Sequence, residues 1–427
     1  MKKLFINIFI SFFLFSSNNL FAQPGFLDPT FGTGGLTASY NIAGCNSSTV
    51  QSDGKILVSG YYGTPIIERF NEDGSSDESF GVSGRATLHF GYAAGDPTGL
   101  SQVDNNKIIM SCWYLPTSPS NYDILVTRLK EDGSIDSSFG TNGIATMDID
   151  NRDYSEAMVI QPDGKIIVVG ELGKNEYDLL RIFLARFNPD GSIDSSFGIN
   201  GHVSTKFEEY VTCVSVALQV DGKIVIGGTL DKNLIRPSYY VARYNPNGSK
   251  DNSFGEEGVA TYTFGEDQTN EEWANELHAI VIQQDGKIIC AGNQGDFIHW
   301  SYDMGLVRFN TDGTLDHTYG EDGTVKINYP GFYSQIITLL MQPDGKLLAG
   351  ATAQDDKVGA DPMLLMRFLE NGELDPGFAI NGMQITTNNN YSITCKNGNL
   401  EPDGKIILAG FSNSRLFISK LFNLQKS

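Results

Sequence analysis

Short apolar runs of five to seven residues recur along the chain, each bounded by Gly, Asp, Asn or Pro. Runs this short with such boundaries predict strands rather than helices. One stretch shows the pattern cleanly. A first apolar run ends at Gln161, a second covers Lys165–Gly170, a third Ile182–Asn188, and a fourth starts near Gly201. Pro162-Asp163-Gly164 joins the first two and suits a type I turn followed by a left-handed glycine, a common hairpin connection. Asn188-Pro189-Asp190-Gly191 repeats that chemistry after the third run. Hairpins joined in this way predict a four-stranded antiparallel sheet.

The same unit returns throughout the chain. A lysine opening the second run stands at Lys55, Lys107, Lys165, Lys223, Lys287, Lys346 and Lys405, at spacings of 52, 58, 58, 64, 59 and 59 residues. A second phrase follows, best formed at Arg186-Phe-Asn-Pro-Asp-Gly-Ser-Ile-Asp-Ser-Ser-Phe-Gly198. Four-stranded sheets repeated seven times predict an all-β fold, a seven-bladed β-propeller. The termini bear on closure. Gly25–Gly32 matches Gly191–Gly198, so a fourth strand follows it near Leu36–Asn41, while Leu416–Asn423 matches a third strand. The N-terminal strand is therefore expected to complete the last blade and close the ring.

These two phrases, recurring in order over nearly the whole chain after residue 22, resemble the Delta-60 repeat family. The resemblance implies an exported bacterial protein with a propeller fold, and it brings no established reaction. The amino terminus agrees with export. Met1–Lys3 is positive, Leu4–Ser16 is apolar, and Leu20-Phe21-Ala22 precedes Gln23, the plan of a cleaved secretory signal. The apolar run is shorter than the ~20 residues that span a bilayer. Residues 1–22 are thus expected to be a signal peptide and 23–427 a single propeller domain, periplasmic or extracellular.

Composition narrows the partners. With 30 basic and 51 acidic residues the net charge is −21, which disfavours nucleic acid and anionic membranes. No membrane insertion and a monomer are expected. The five cysteines lack metal or redox spacing, and Cys45 and Cys395 could meet across the closure, free or bridged. The five histidines show no metal spacing. No cofactor is expected beyond a weak possibility of calcium at the acidic insertion Glu266–Glu272.

Groups present once per blade read as packing devices. These are the aromatics Phe31, Phe80, Phe139, Phe197, Phe254, Tyr319 and Phe378, the Asp three residues before each, and the third-strand Arg or Lys. Each Arg is expected to meet an Asp or turn carbonyls at the blade edge. Function is sought where blades differ, on the face carrying the variable connections. Trp113, Trp273 and Trp300 fall there with Tyr114 and Tyr240, and such rings suit stacking on a sugar or anchoring a peptide. Nine residues before each lysine stand Asn46, Thr98, Glu156, Val214, His278, Ile337 and Lys396. If this position faces the channel, Glu156, His278 and Lys396 are its titratable groups, and an acid, an imidazole and an amine could do acid–base work. The leading expectation is a non-enzymatic binding module for a glycan, peptide or extracellular protein. The alternatives are a hydrolase or lyase acting on polysaccharide or ester at the channel mouth, and a structural surface or matrix protein.

Overall fold

A computed structural model describes residues 23–40, 42–90, 94–116, 121–173, 181–232, 236–265, 273–296, 301–329, 333–354, 361–387, 392–412 and 415–423. The fold is an all-β propeller of antiparallel sheets. Apart from one 3-10 turn at Asp104–Asn106, the described residues form no helix, and no helix among them is long and apolar enough to cross a membrane.

The stretch read first in the sequence folds as expected. Asp153–Ile160, Ile166–Leu172, Arg181–Phe187 and His202–Lys206 pair antiparallel in chain order. The connecting turns have Gly164 and Gly191 at φ 81° and 87°, the region that suits glycine. Other sheets repeat this order with two variations. Tyr210–Val211 and Ser215–Leu218 together form the inner edge against Ile224–Lys232. Two four-stranded arrays, starting at Trp273 and Tyr333, are joined by a single parallel bridge between Tyr302 and Tyr333. The strand Leu36–Ser39 pairs with Arg415–Leu421, Leu36 opposite Ser419 and Ser39 opposite Leu416, in the sheet that also holds Thr394–Leu400 and Ile406–Ser412.

The core lies between successive sheets. Ile109, Val126 and Phe139 of one sheet pack against Val168, Phe183 and Phe187 of the next. Second strands are covered on both faces, so Ile166–Leu172 is buried at every position and its sequence is almost continuously apolar. An inner-strand bulge recurs beside it, for example between Ser155 and Ala157. It brings the Tyr154 carbonyl against Gly170, where an added Cβ would stand 1.8 Å from that oxygen. Gly170→Ala is therefore expected to cost about 1–3 kcal/mol through backbone displacement, read as a lower urea midpoint.

The once-per-blade groups form one device. Arg186 Nε donates to Asp194 Oδ2 at 2.8 Å, and Lys165 Nζ reaches the same oxygen at 3.0 Å. Asp194 Oδ1 accepts from the Ser196 backbone and hydroxyl. Arg186 also donates across the sheet gap to the Pro246 carbonyl at 2.6 Å and lies 4.3 Å over the Phe197 ring. The ring itself packs under Gly248 of the next turn. Arg69, Arg128, Arg243, Arg308 and Arg367 pair with Asp77, Asp136, Asp251, Asp316 and Asp375 in the same way, at 2.6–2.9 Å. Burial alone would raise these carboxyls. The hydroxyl and ammonium donors outweigh it and hold Asp194 well below the usual carboxylate range. This device is the arginine–aspartate contact expected from the repeat.

Candidate functional site

The inner strands pack in series. Thr394–Leu400 contacts Ala43–Val50, which contacts Ala94–Val103, which in turn contacts Asp153–Ile160. A cavity of about 510 Å³ lies between inner strands, and all of Asn46, Thr98, Glu156, Val214, His278, Ile337 and Lys396 line it. The bulge explains the position. It inserts Glu156 as an extra residue between the pairs made by Ser155 and Ala157, turning its side chain out of the sheet packing and into the opening.

The cavity is electrically uneven. Glu156 stands beside Asp96 and Glu171, and burial followed by the Asp96 charge raises its carboxyl to about 7. Glu171 is buried within its sheet and accepts the Cys213 backbone N–H. Burial, then Glu156, raises it well above the usual range, so it resists ionisation. His278 is lowered to about 4, mainly by burial; a bond that its ring donates to Gln335 opposes this and Lys396 adds to it. Its Nε2 has no hydrogen-bond partner among the described residues.

Glu171 carries a pH prediction. A carboxyl raised on folding stabilises fully below its unfolded pKa of about 4.3, and that stability is lost as pH rises toward the folded value. The protein is expected to be less stable at pH 8 than at pH 5. In Glu171→Gln, which keeps an acceptor for Cys213 and never ionises, urea midpoints at the two pH values should differ by less than in the parent.

On the variable side, Trp113 and Tyr114 end the strand Lys107–Tyr114 and are partly exposed. Trp113 lies on Gly95, whose absent Cβ leaves room for the ring. It meets Tyr122 edge-on at 4.8 Å and Tyr154 at 6.4 Å, while Tyr122 and Tyr154 are 5.0 Å apart. The Arg152 guanidinium lies 5.5 Å over Tyr122. Three carboxylates adjoin this cluster: Asp123, Asp148 and Asp153 place one oxygen each within 4.8 Å of the others, a spacing that can share one cation. Asp153 accepts the N–H groups of Ile149 at 2.7 Å and Asp150 at 3.0 Å. Burial and then Asp148 raise Asp123 to about 6. Burial outweighs the two N–H bonds on Asp153 and, with its acidic neighbours, raises it to about 7.

Tyr240 requires a correction. It is fully buried in the middle of Arg236–Tyr244, opposite Gly228, and packs between sheets near Phe207. The third strand runs further toward the variable side than its apolar run suggested, so this ring belongs to the core. Trp300, the insertion 266–272 and the Trp273 side chain lie outside the described residues. The cysteines Cys45, Cys112, Cys213, Cys290 and Cys395 are free and buried. Burial above all raises Cys395 to about 12, so it has almost no thiolate at neutral pH.

Several groups here escaped the reading of the sequence. Tyr154, Arg152 and the carboxylate trio were signalled by the dense acidic run Asp148-Ile-Asp-Asn-Arg-Asp153, and Glu171 by a lone acid in an apolar strand.

Segments 51–80, 161–197, 219–254, 283–319 and 342–378 match a family described as a domain of unknown function (DUF5122), beta-propeller. Each runs from just before a repeat lysine to the repeat aromatic. No curated relative matches the sequence. Among solved structures, a polysaccharide lyase of family PL25, an ulvan lyase, is 13% identical at a TM-score of 0.48, covering 94% of this chain and 95% of its own. YCF48 bound to D1 peptide is 11% identical at 0.48, covering 93% and 99%. YCF48 from Cyanidioschyzon merolae is 12% identical at 0.45, covering 90% and 99%. The chain is thus similar in sequence to a β-propeller family along five of its repeats.

Proposed function

We propose that this protein is an exported, non-enzymatic binding module, a closed seven-bladed ring over residues 23–427 behind a signal peptide at 1–22. Closure is supported by a backbone bond that recurs around the chain. Gly81, Gly140, Gly198, Gly255 and Gly320 donate to Asp132, Asp190, Asn247, Asp312 and Asn371, and the series continues with Ala379 to Pro24 and Gly32 to Asp73. Pairing of Leu36–Ser39 with the last strand argues the same way.

The observation that carries the function is the Trp113–Tyr122–Tyr154 cluster, half-buried and bordered by carboxylates. Aromatic faces stack on the apolar faces of sugar rings, and carboxylates accept bonds from sugar hydroxyls, so a glycan suits the site best. A peptide or protein partner uses the same surface through aromatic anchors. The test is a glycan and peptide array on the protein, repeated with Trp113→Ala, Tyr122→Ala and Trp300→Ala. Loss of signal in the first two supports the reading, and binding indifferent to all three overturns it. Cleavage of a polysaccharide that disappears in Glu156→Ala or His278→Ala would replace it with the enzyme reading.

A further inference from the structure

The central cavity holds charge that the protein leaves uncompensated. Glu156 lines it on one side, close to Asp96, and neither has an ion pair with Lys or Arg among the described residues. Lys396 comes from an inner strand three steps away through Ala43–Val50 and Ala94–Val103. No carboxylate among the described residues pairs with it. His278 adds a neutral imidazole with an unpartnered Nε2. At the joints between sheets, by contrast, carboxylates are matched, as Asp194 is by Arg186 and Lys165. A charge with no partner in the protein is open to the charge-assisted bonds that a ligand can supply.

The spacing decides which ligand. Among the described residues, only Asp123, Asp148 and Asp153 bring three ligand atoms close enough for one metal ion, so the Glu156 group is too spread for that role. An organic ammonium spreads its bonds over a wider acceptor set. Lys396, on the far wall, calls for an anion on the same molecule. A cavity of about 510 Å³ corresponds to a sphere roughly 10 Å across. A dipeptide, about 7 Å long when extended, brings its two charged ends toward opposite walls.

We infer that the channel is a binding site for a small zwitterion of dipeptide size, its ammonium held by Glu156 with Asp96 and its carboxylate by Lys396. The peptide amide then lies along the polar lining of Asn46, Thr98 and Asn397. This site is separate from the aromatic cluster and does not depend on the ligand proposed there.

Calorimetric titration of the mature protein with Ala-Ala, N-acetyl-Ala-Ala and Ala-Ala-amide tests the assignment. Ala-Ala is expected to bind, and each blocked form to bind at least about tenfold more weakly. Glu156→Gln should abolish the discrimination against the acetylated form, and Lys396→Met that against the amide. Both side chains line the cavity rather than the packing between sheets, and unchanged thermal midpoints verify that the variants fold. Trp113→Ala should bind Ala-Ala as the parent does. Absence of Ala-Ala binding at millimolar concentration overturns the inference. So does equal binding of all three probes. Loss in Trp113→Ala with retention in Glu156→Gln also overturns it, by placing the dipeptide on the aromatic face.

Discussion

A chain begun at residue 42 is expected to lose at least about 4 kcal/mol of stability relative to one begun at residue 23. The deletion removes Phe31, 1% exposed, together with its contact to Lys420 at 5.7 Å. Truncation of a buried phenylalanine alone costs about 3–5 kcal/mol. The deletion also frees Lys405 from Asp28, a contact of 3.3 Å, and strips the four-residue ladder from Arg415–Leu421. In a closed ring these losses leave the first and last sheets without their shared seam. Opening one seam lets neighbours separate in turn, so unfolding should also broaden. Urea denaturation followed by tryptophan fluorescence and circular dichroism reads both effects. A midpoint within about 1 kcal/mol of the longer chain, with unchanged slope, would sink the closure.

Asp194→Ala is the second large effect. Removing one partner of a buried ion pair leaves the other charged and desolvated, which typically costs about 3–5 kcal/mol. Arg186 is 6% exposed and would keep only the Pro246 carbonyl and the Phe197 face. Lys165 would lose its partner as well, although its partial exposure makes that loss small. The control is Asp190→Ala, four residues earlier in the same phrase. Asp190 is exposed and its carboxylate caps only Ser192, so the change should cost less than about 1 kcal/mol. Equal effects of the two substitutions would mean that Asp194 serves only as a turn cap. A large gap between them assigns the aspartate to the joint between sheets.

The repeat phrase was readable because its parts act locally. Asp190-Gly191 makes a turn within four residues, and Arg186 meets Asp194 eight positions on in every unit where both occur. Short range and repetition together made the strands, the turns and the Arg–Asp contact predictable. The candidate sites depended on distance. Trp113 was recognisable as a face residue because it ends a strand beside a variable loop. Tyr240 looked alike in the sequence, yet strand pairing with Gly228 carries it into the core. Whether an aromatic at a strand end is covered depends on how far its neighbours extend, and no local pattern reports that.

By itself the sequence determined the all-β class, the antiparallel four-strand unit, the packing role of the repeated residues and the acidic surface charge. Each follows from composition or from interactions within about a dozen residues, where spacing and geometry are tightly linked. Only the tertiary structure brought Glu156, His278 and Lys396 onto one cavity, and set Tyr154 and Asp153 beside Trp113 and Asp123. Those groups lie tens to hundreds of residues apart in the chain. Their meeting depends on how the sheets are arranged around the channel and on an inner-strand bulge that turns one residue per strand inward. The same arrangement decided the charge states. Glu156 and Glu171 are ordinary acids in the sequence, and burial beside one another, with Asp96, makes them reluctant to ionise.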